Sequence, residues 1–181
     1  MNRQRELDAL VAGFTTRPKL LLHVCCAPCA SYCIEYLAKF FDITLYWYNP
    51  NIQPPEEREK RLAELRRFLS LTSELPLIID ADDAKLEPGN CRACIAERLN
   101  KTAQQANKMN FDYYCTTLTV SPHKNAELIN ELGELSIITC NLSIVKWLLS
   151  DFKKRNGYLR TIELSREYGL YRQNYCGCLF S

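Results

Sequence analysis

The stretch LLLHVCCAPCASYCIEYLAKF, residues 20–40, decides the fold. Its opening run, Leu20–Val24, is apolar and too short for a helix, and it reads as a buried strand. From Ser31 to Phe40 helical spacing takes over, with Ile34, Leu37 and Ala38 recurring on one side. Asp42–Tyr48 (DITLYWY) is β-branched and aromatic, a second strand that Asn49-Pro50-Asn51 stops. Farther out the alternation repeats. Glu56–Leu69 predicts a helix carrying Leu62, Leu65 and Leu69 on one face, with Pro54 and Pro55 just ahead of it. Leu77–Asp80 predicts a third strand, Cys91–Met109 a long helix, Phe111–Val120 a fourth strand and Ala126–Leu132 a further helix. Strands alternating with helices at this spacing predict an α/β fold, a parallel sheet flanked by helices. No repeat, linker or low-complexity stretch interrupts it, so residues 1–181 read as a single domain with a basic C-terminal helical segment.

Ten cysteines stand out in this chain of 181 residues. Residues 1–14, MNRQRELDALVAGF, are charged and lack a signal peptide's apolar core, and no apolar run reaches the roughly 18 residues of a membrane span. A soluble, cytoplasmic protein without membrane attachment is expected. In a reducing compartment clustered cysteines serve metal or redox chemistry more often than disulfides. Here Cys25, Cys26, Cys29 and Cys33 group together, as do Cys91 with Cys94 and Cys176 with Cys178, while Cys115 and Cys140 stand alone. Thiolates are soft ligands for iron–sulfur clusters or zinc, and Cys-x-x-Cys spacing lets two sulfurs reach one centre. Seven candidates (Cys25, Cys26, Cys29, Cys91, Cys94, Cys176, Cys178) exceed the four of one tetrahedral site. Two metal centres, or one centre plus a redox-active pair, therefore follow. Simple burial suffices for Cys33, Cys115 and Cys140.

Two rival readings remain open on these residues. A structural zinc site would make the chain a zinc-stabilised RNA-binding module, although 61 residues separate Cys29 from Cys91, far more than in a zinc knuckle. A dithiol oxidoreductase would use Cys26-Ala27-Pro28-Cys29 at a strand-to-helix turn, but would leave the other clusters unexplained. Neither phosphate-cradling glycine motif occurs, and neither does the C-x3-C-x2-C order of radical SAM enzymes. His23 lies in an apolar strand and reads as a core residue. His123, in Ser121-Pro122-His123-Lys124-Asn125, is the better functional candidate. Ligands of open α/β sheets collect beyond the carboxyl ends of the strands, so this loop and Cys25–Cys29 are expected on one rim.

The formal net charge of +2 does not identify a nucleic-acid binder, but its distribution is informative. From Lys146 to Arg172 seven basic residues oppose three acids, with Tyr158, Tyr168 and Tyr171 interleaved and Tyr175 just beyond. Such a mixture suits phosphate contacts with base stacking, or simply a solvated basic helix.

At these residues the sequence resembles the QueH family of epoxyqueuosine reductases. The matching segments are LLLHVCCAPC (20–29), YNPNIQP (48–54), CRACIAERL (91–99), FDYYCTTLTVSPHKNAELIN (111–130), SDFKKRNGY (150–158) and ELSREYGLYRQNYCGC (163–178). The resemblance implies a Rossmann-like fold related to adenine-nucleotide alpha-hydrolase domains, with cysteines where those bind phosphate. It implies a [4Fe-4S] cluster on Cys25, Cys26, Cys91 and Cys94, and a second, mononuclear iron on Cys29, Cys176 and Cys178. The implied reaction is the last step of queuosine biosynthesis, a cobalamin-independent two-electron reduction of an epoxide at the wobble nucleotide to an alkene with release of water. Its partners would be tRNA carrying epoxyqueuosine in the anticodon loop and an external low-potential electron donor. His123 and Lys124 are the candidate proton donors. Asn49, Ser121, Asn125, Lys153, Lys154, Arg155, Tyr158, Arg160, Tyr171, Arg172 and Tyr175 are the candidate tRNA contacts. One stretch departs from the family pattern: GELSIITCNLSI (133–144) is apolar where a charged helix end and polar turn are expected.

Overall fold

The computed structural model describes residues 2–82, 86 and 89–178. Among them are helices α1 (Arg3–Ala12), α2 (Ala27–Leu37), α3 (Pro55–Thr72), α4 (Cys91–Lys108), α5 (Ala126–Thr139) and α6 (Gly157–Glu167). The strands are β1 (Lys19–His23), β2 (Asp42–Trp47), β3 (Leu77–Ile79), β4 (Tyr113–Thr116) and β5 (Lys146–Trp147). All pairings are parallel, in the order β3-β2-β1-β4-β5. The result is the α/β, Rossmann-like arrangement expected from the alternation.

The pleat divides the core in two. Leu20 and Leu22 of β1, Ile43 and Leu45 of β2 and Cys115 of β4 join one buried cluster with Leu37, Leu65, Phe152 and Leu164. Leu21, Tyr46 and Tyr114 point the other way, into a cluster with Leu99, Ala103, Ile129 and Leu132. The first layer holds α1, α2, α3 and α6, and the second holds α4 and α5. Leu20, Leu21 and Leu22 are all fully buried, each contributing about 2 kcal/mol of apolar burial. A run of three leucines is thus what a central parallel strand, covered on both faces, requires.

Several boundaries differ from expectation. α2 begins at Ala27, before Ser31, because Pro28 sits in the first turn, where no amide is needed. β4 ends at Thr116, whose hydroxyl accepts from the Leu118 amide (3.2 Å) and turns the chain into a short 3-10 helix, Thr117–Val120. α5 continues into the divergent stretch as far as Thr139. Gly133 permits this, since a Cβ there would lie 2.3 Å from the Trp147 indole. Asn130 pins the same helix to β5: its amide donates to Ala126 O and Ser150 O and accepts from Trp147 Nε1 and the Ser150 amide. Leu135, Ile138 and Ile144 stay exposed.

Candidate metal and substrate site

β1 is flanked by β2 and β4, so the strand order reverses beside it, and a crevice opens at the carboxyl ends of such strands. A cavity of about 1070 Å³ lies there. Cys25 and Cys29 line it from the β1–α2 turn, Cys91 and Cys94 from the start of α4, and Cys176 and Cys178 from the C-terminal loop. Ser121, His123 and Lys124 line it as well, so the two loops expected on one rim do share it.

The β1–α2 turn is held by main-chain bonds. The Val24 amide donates to Tyr46 O (3.0 Å), Asn49 Nδ2 donates to Val24 O (2.8 Å) and the Ala30 amide donates to Cys26 O (3.1 Å). Within this frame the sulfurs of Cys25, Cys26 and Cys29 all lie within 4.8 Å of one another. Hydrogen bonding with Cys26 and Cys29 holds Cys25 well below the usual thiol range, with Arg98 adding to it. Hydrogen bonding with Cys25 pushes Cys26 and Cys29 up. This trio groups Cys29 with Cys25 and Cys26, whereas the resemblance assigned Cys29 to a different centre. Among the described residues no disulfide links the ten cysteines.

Cys91 and Cys94 owe their position to Asn90, whose side chain caps α4 by accepting from the Ala93 amide (3.0 Å). Burial raises the Cys94 thiol against the opposing influence of Arg98. The C-terminal pair is held differently. Arg61, fully buried, ion-pairs with Glu57 (2.7 Å) and donates to Cys176 O (3.0 Å) and Tyr175 O (3.3 Å). Gly177 O accepts from the Gln53 amide (2.7 Å), and Tyr175 donates to Gln53 O (2.7 Å). Gly177 has φ +121°, and a Cβ there would meet Ile52 at 2.9 Å. Lys124 Nζ donates to Cys176 Sγ at 3.0 Å.

The remaining cysteines lie elsewhere. Cys33 and Cys115 are fully buried in the core, and burial pushes the Cys115 thiol up to about 12. Cys140 is half-buried at the end of α5, 3.5 Å from Gln104 Nε2. His23 is buried too, bonded to Thr116 Oγ1 (2.8 Å) and Tyr48 O (3.1 Å), and burial with nearby Arg98 lowers it to about 4. It is a neutral core histidine, as its apolar strand implied.

The polar candidates divide. Ser121, Tyr158, Arg172 and Tyr175 line the cavity. Asn49 is buried behind it, and Asn125 caps α5 by accepting from the Glu127 and Leu128 amides. Tyr171 donates to Glu57. Lys153, Arg155 and Arg160 pair with Asp151, Asp8 and Glu35, while Lys154 is exposed. Arg58, Arg98, Asn51 and Gln173 also line the cavity, and the sequence reading did not single them out. For Arg98 a signal existed: it follows Cys94 by four residues, on the same helix face. The described lining carries Arg58, Arg98, His123, Lys124 and Arg172 but no aspartate or glutamate. Such a cavity favours anions.

A family model described as epoxyqueuosine reductase QueH matches residues 20–181. The chain belongs to this family. Epoxyqueuosine reductase QueH of Streptococcus pyogenes serotype M1 is 42% identical over 185 residues, spanning 92% of this chain and 71% of that protein. The protein of that name from Staphylococcus epidermidis is 38% identical, spanning 91% of this chain and 76% of its own length. The one from Thermotoga maritima is 36% identical, spanning 90% of this chain and 89% of its own. QueH membership makes the chain an oxidoreductase, and the rival of a non-catalytic zinc module loses its basis. No helix among the described residues is long and apolar enough to cross a membrane.

Proposed function

We propose that this chain reduces epoxyqueuosine to queuosine at the wobble position of tRNA, using iron–sulfur chemistry and no cobalamin. The observation that carries the reading is the convergence of the cysteine clusters on one cavity, with three sulfurs within 4.8 Å of one another. That donor set fits a soft metal group. Cys25, Cys26, Cys91 and Cys94 would hold a [4Fe-4S] cluster, and Cys29, Cys176 and Cys178 a second iron. When bound, these groups supply electrons singly and a Lewis-acidic metal position.

The chain's own residues do the rest. Lys124 Nζ, already 3.0 Å from Cys176 Sγ, carries a proton to the edge of the thiol site, and His123 stands beside it as a second donor. The departing epoxide oxygen takes two protons, together with the two electrons of the reduction, to leave as water, so both donors have a place. Tyr158 and Tyr175 offer ring faces to an unstacked base, and Arg58 and Arg172 supply positive charge for phosphates. Arg155 and Arg160, each already paired with a carboxylate, contribute less to tRNA affinity than Arg172. The substrate enters from an anticodon loop, where bases are already unstacked.

Anaerobically purified protein is expected to be brown, to contain iron and sulfide, and to convert epoxyqueuosine-tRNA to queuosine-tRNA with a chemical reductant. Colourless, iron-free protein would refute the metal assignment. Cys176→Ala or Cys178→Ala with full turnover but lost iron would refute the role of the second metal. Binding to tRNA is expected to weaken as salt rises, and salt-independent binding counts against the phosphate contacts.

A further inference from the structure

Two arginines rank among the largest fully buried side chains of the molecule, Arg61 and Arg98. Both stand near the cysteines, yet their surroundings are opposite. The guanidinium of Arg61 meets Glu57 at 2.7 Å and two main-chain carbonyls. Arg98, 1% exposed, donates from Nε to Cys94 O (3.2 Å), and among the described residues no carboxylate forms an ion pair with it. Its sequence neighbour Glu97 is engaged with the Tyr48 hydroxyl (3.1 Å). A buried guanidinium without an anion is costly, because its lost hydration is not replaced. What Arg98 faces is the cavity, which Cys25, Cys29 and Cys94 also line. Its position one helical turn beyond Cys94, with Nε bonded back to Cys94 O, sets the charge on the same cavity wall as these sulfurs.

We infer that Arg98 is a positioning residue, the fixed counter-cation of the cysteine site, which offsets the negative charge of the bound thiolates and of the electron the site accepts. The role rests on the proposed iron–sulfur reading. Reduction adds one electron and one unit of negative charge, with no bond made or broken, and the electron comes from the external donor. A cation held in a low-dielectric setting stabilises that charge, so its removal makes the site harder to reduce and its thiolates less willing to hold metal.

The test uses the full chain with Arg98→Gln, Arg98→Met and Arg98→Lys. Each is melted as apoprotein, then reconstituted anaerobically with ferrous iron and sulfide and titrated with dithionite. The expected apoproteins fold and melt close to the wild type. Loaded Gln and Met variants lose iron to a chelator at least tenfold faster. Poised at the wild-type midpoint, their reduced-to-oxidised ratio falls at least tenfold, about 59 mV for a one-electron couple. Arg98→Lys recovers part of both losses. Loaded Gln or Met variants with the wild-type midpoint and chelator rate overturn the role of Arg98 alone. So does a Lys variant no better than Gln, or failure of both Gln and Met apoproteins to fold. A wild type that takes up no iron or sulfide overturns the iron–sulfur reading and this role together.

Discussion

The β1–α2 turn and the C-terminal loop both bring cysteines to the cavity, but they are built in opposite ways. In the turn, Cys25, Cys26 and Cys29 are carried by a central strand and the helix that follows it, and the bonds that hold them belong largely to sheet and helix. In the loop, Cys176 and Cys178 lie outside any helix or strand. They are held by Arg61 and Gln53, more than a hundred residues away in sequence. The first group of thiols is a consequence of the fold's core, while the second depends on a few long-range polar contacts. The first group should survive damage that releases the second.

Arg61→Met is the most severe way to break this comparison. It leaves Glu57 with the Tyr171 hydroxyl but no cation and takes the arginine donor from two carbonyls, and breaking a buried pair of this kind costs about 3–5 kcal/mol. Denaturant unfolding of the apoprotein is expected to show that loss. Alkylation followed by peptide mass mapping should show Cys176 and Cys178 reacting much faster while Cys26 stays protected. Equal deprotection of Cys26 would mean that the two regions are not independent.

A smaller effect is expected from Gly177→Ala. The positive φ and the 2.9 Å approach to Ile52 impose a local strain of about 1–3 kcal/mol. Its signature should be confined to the loop, as faster alkylation of Cys176 and Cys178 with an almost unchanged melting profile at β1. The mildest change in stability belongs to Cys26→Ser. Cys26 occupies the N-cap of α2 without making a side-chain cap bond, and serine is a favoured residue there. The apoprotein is expected to stay within about 1 kcal/mol of the wild type while iron uptake falls. Iron uptake at the wild-type level would remove Cys26 from the ligand set and sharpen the partition among the seven.

Most of the fold was legible because periodicity and turn chemistry are local. Leu20–Val24 announced a buried strand by four apolar residues around His23, and Asn49-Pro50-Asn51 announced the end of β2. The misread boundaries each involve a side chain competing with the backbone, or a proline or glycine whose meaning is positional. Thr116 ends β4 with its own hydroxyl, Pro28 opens α2, and Gly133 lets α5 run on beneath Trp147. At the site, the cysteines could be picked out as a set because thiols cluster in the sequence. The sequence cluster of Cys25, Cys26 and Cys29 is also a cluster in space, with sulfurs within 4.8 Å of one another across the first turn of α2. The basic C-terminal segment also looked more available than it is. Arg155 and Arg160 carry carboxylates from α1 and α2, partners that no local reading of that segment contains.

The sequence by itself determined the alternation of strands and helices, the seven cysteines in three clusters, the loop carrying His123 and Lys124, and the family to which they belong. These follow from residue type and short-range spacing. Tertiary structure alone decided that a buried Arg61 hangs the C-terminal cysteines, that Arg98 lines the cavity with the sulfurs and has no carboxylate partner among the described residues, and that the described lining of the cavity is free of acids. Charge pairing is the reason. Whether a buried cation is neutralised depends on what the fold brings within a few ångströms, and among the described residues Glu57 does so for Arg61 while no carboxylate does so for Arg98.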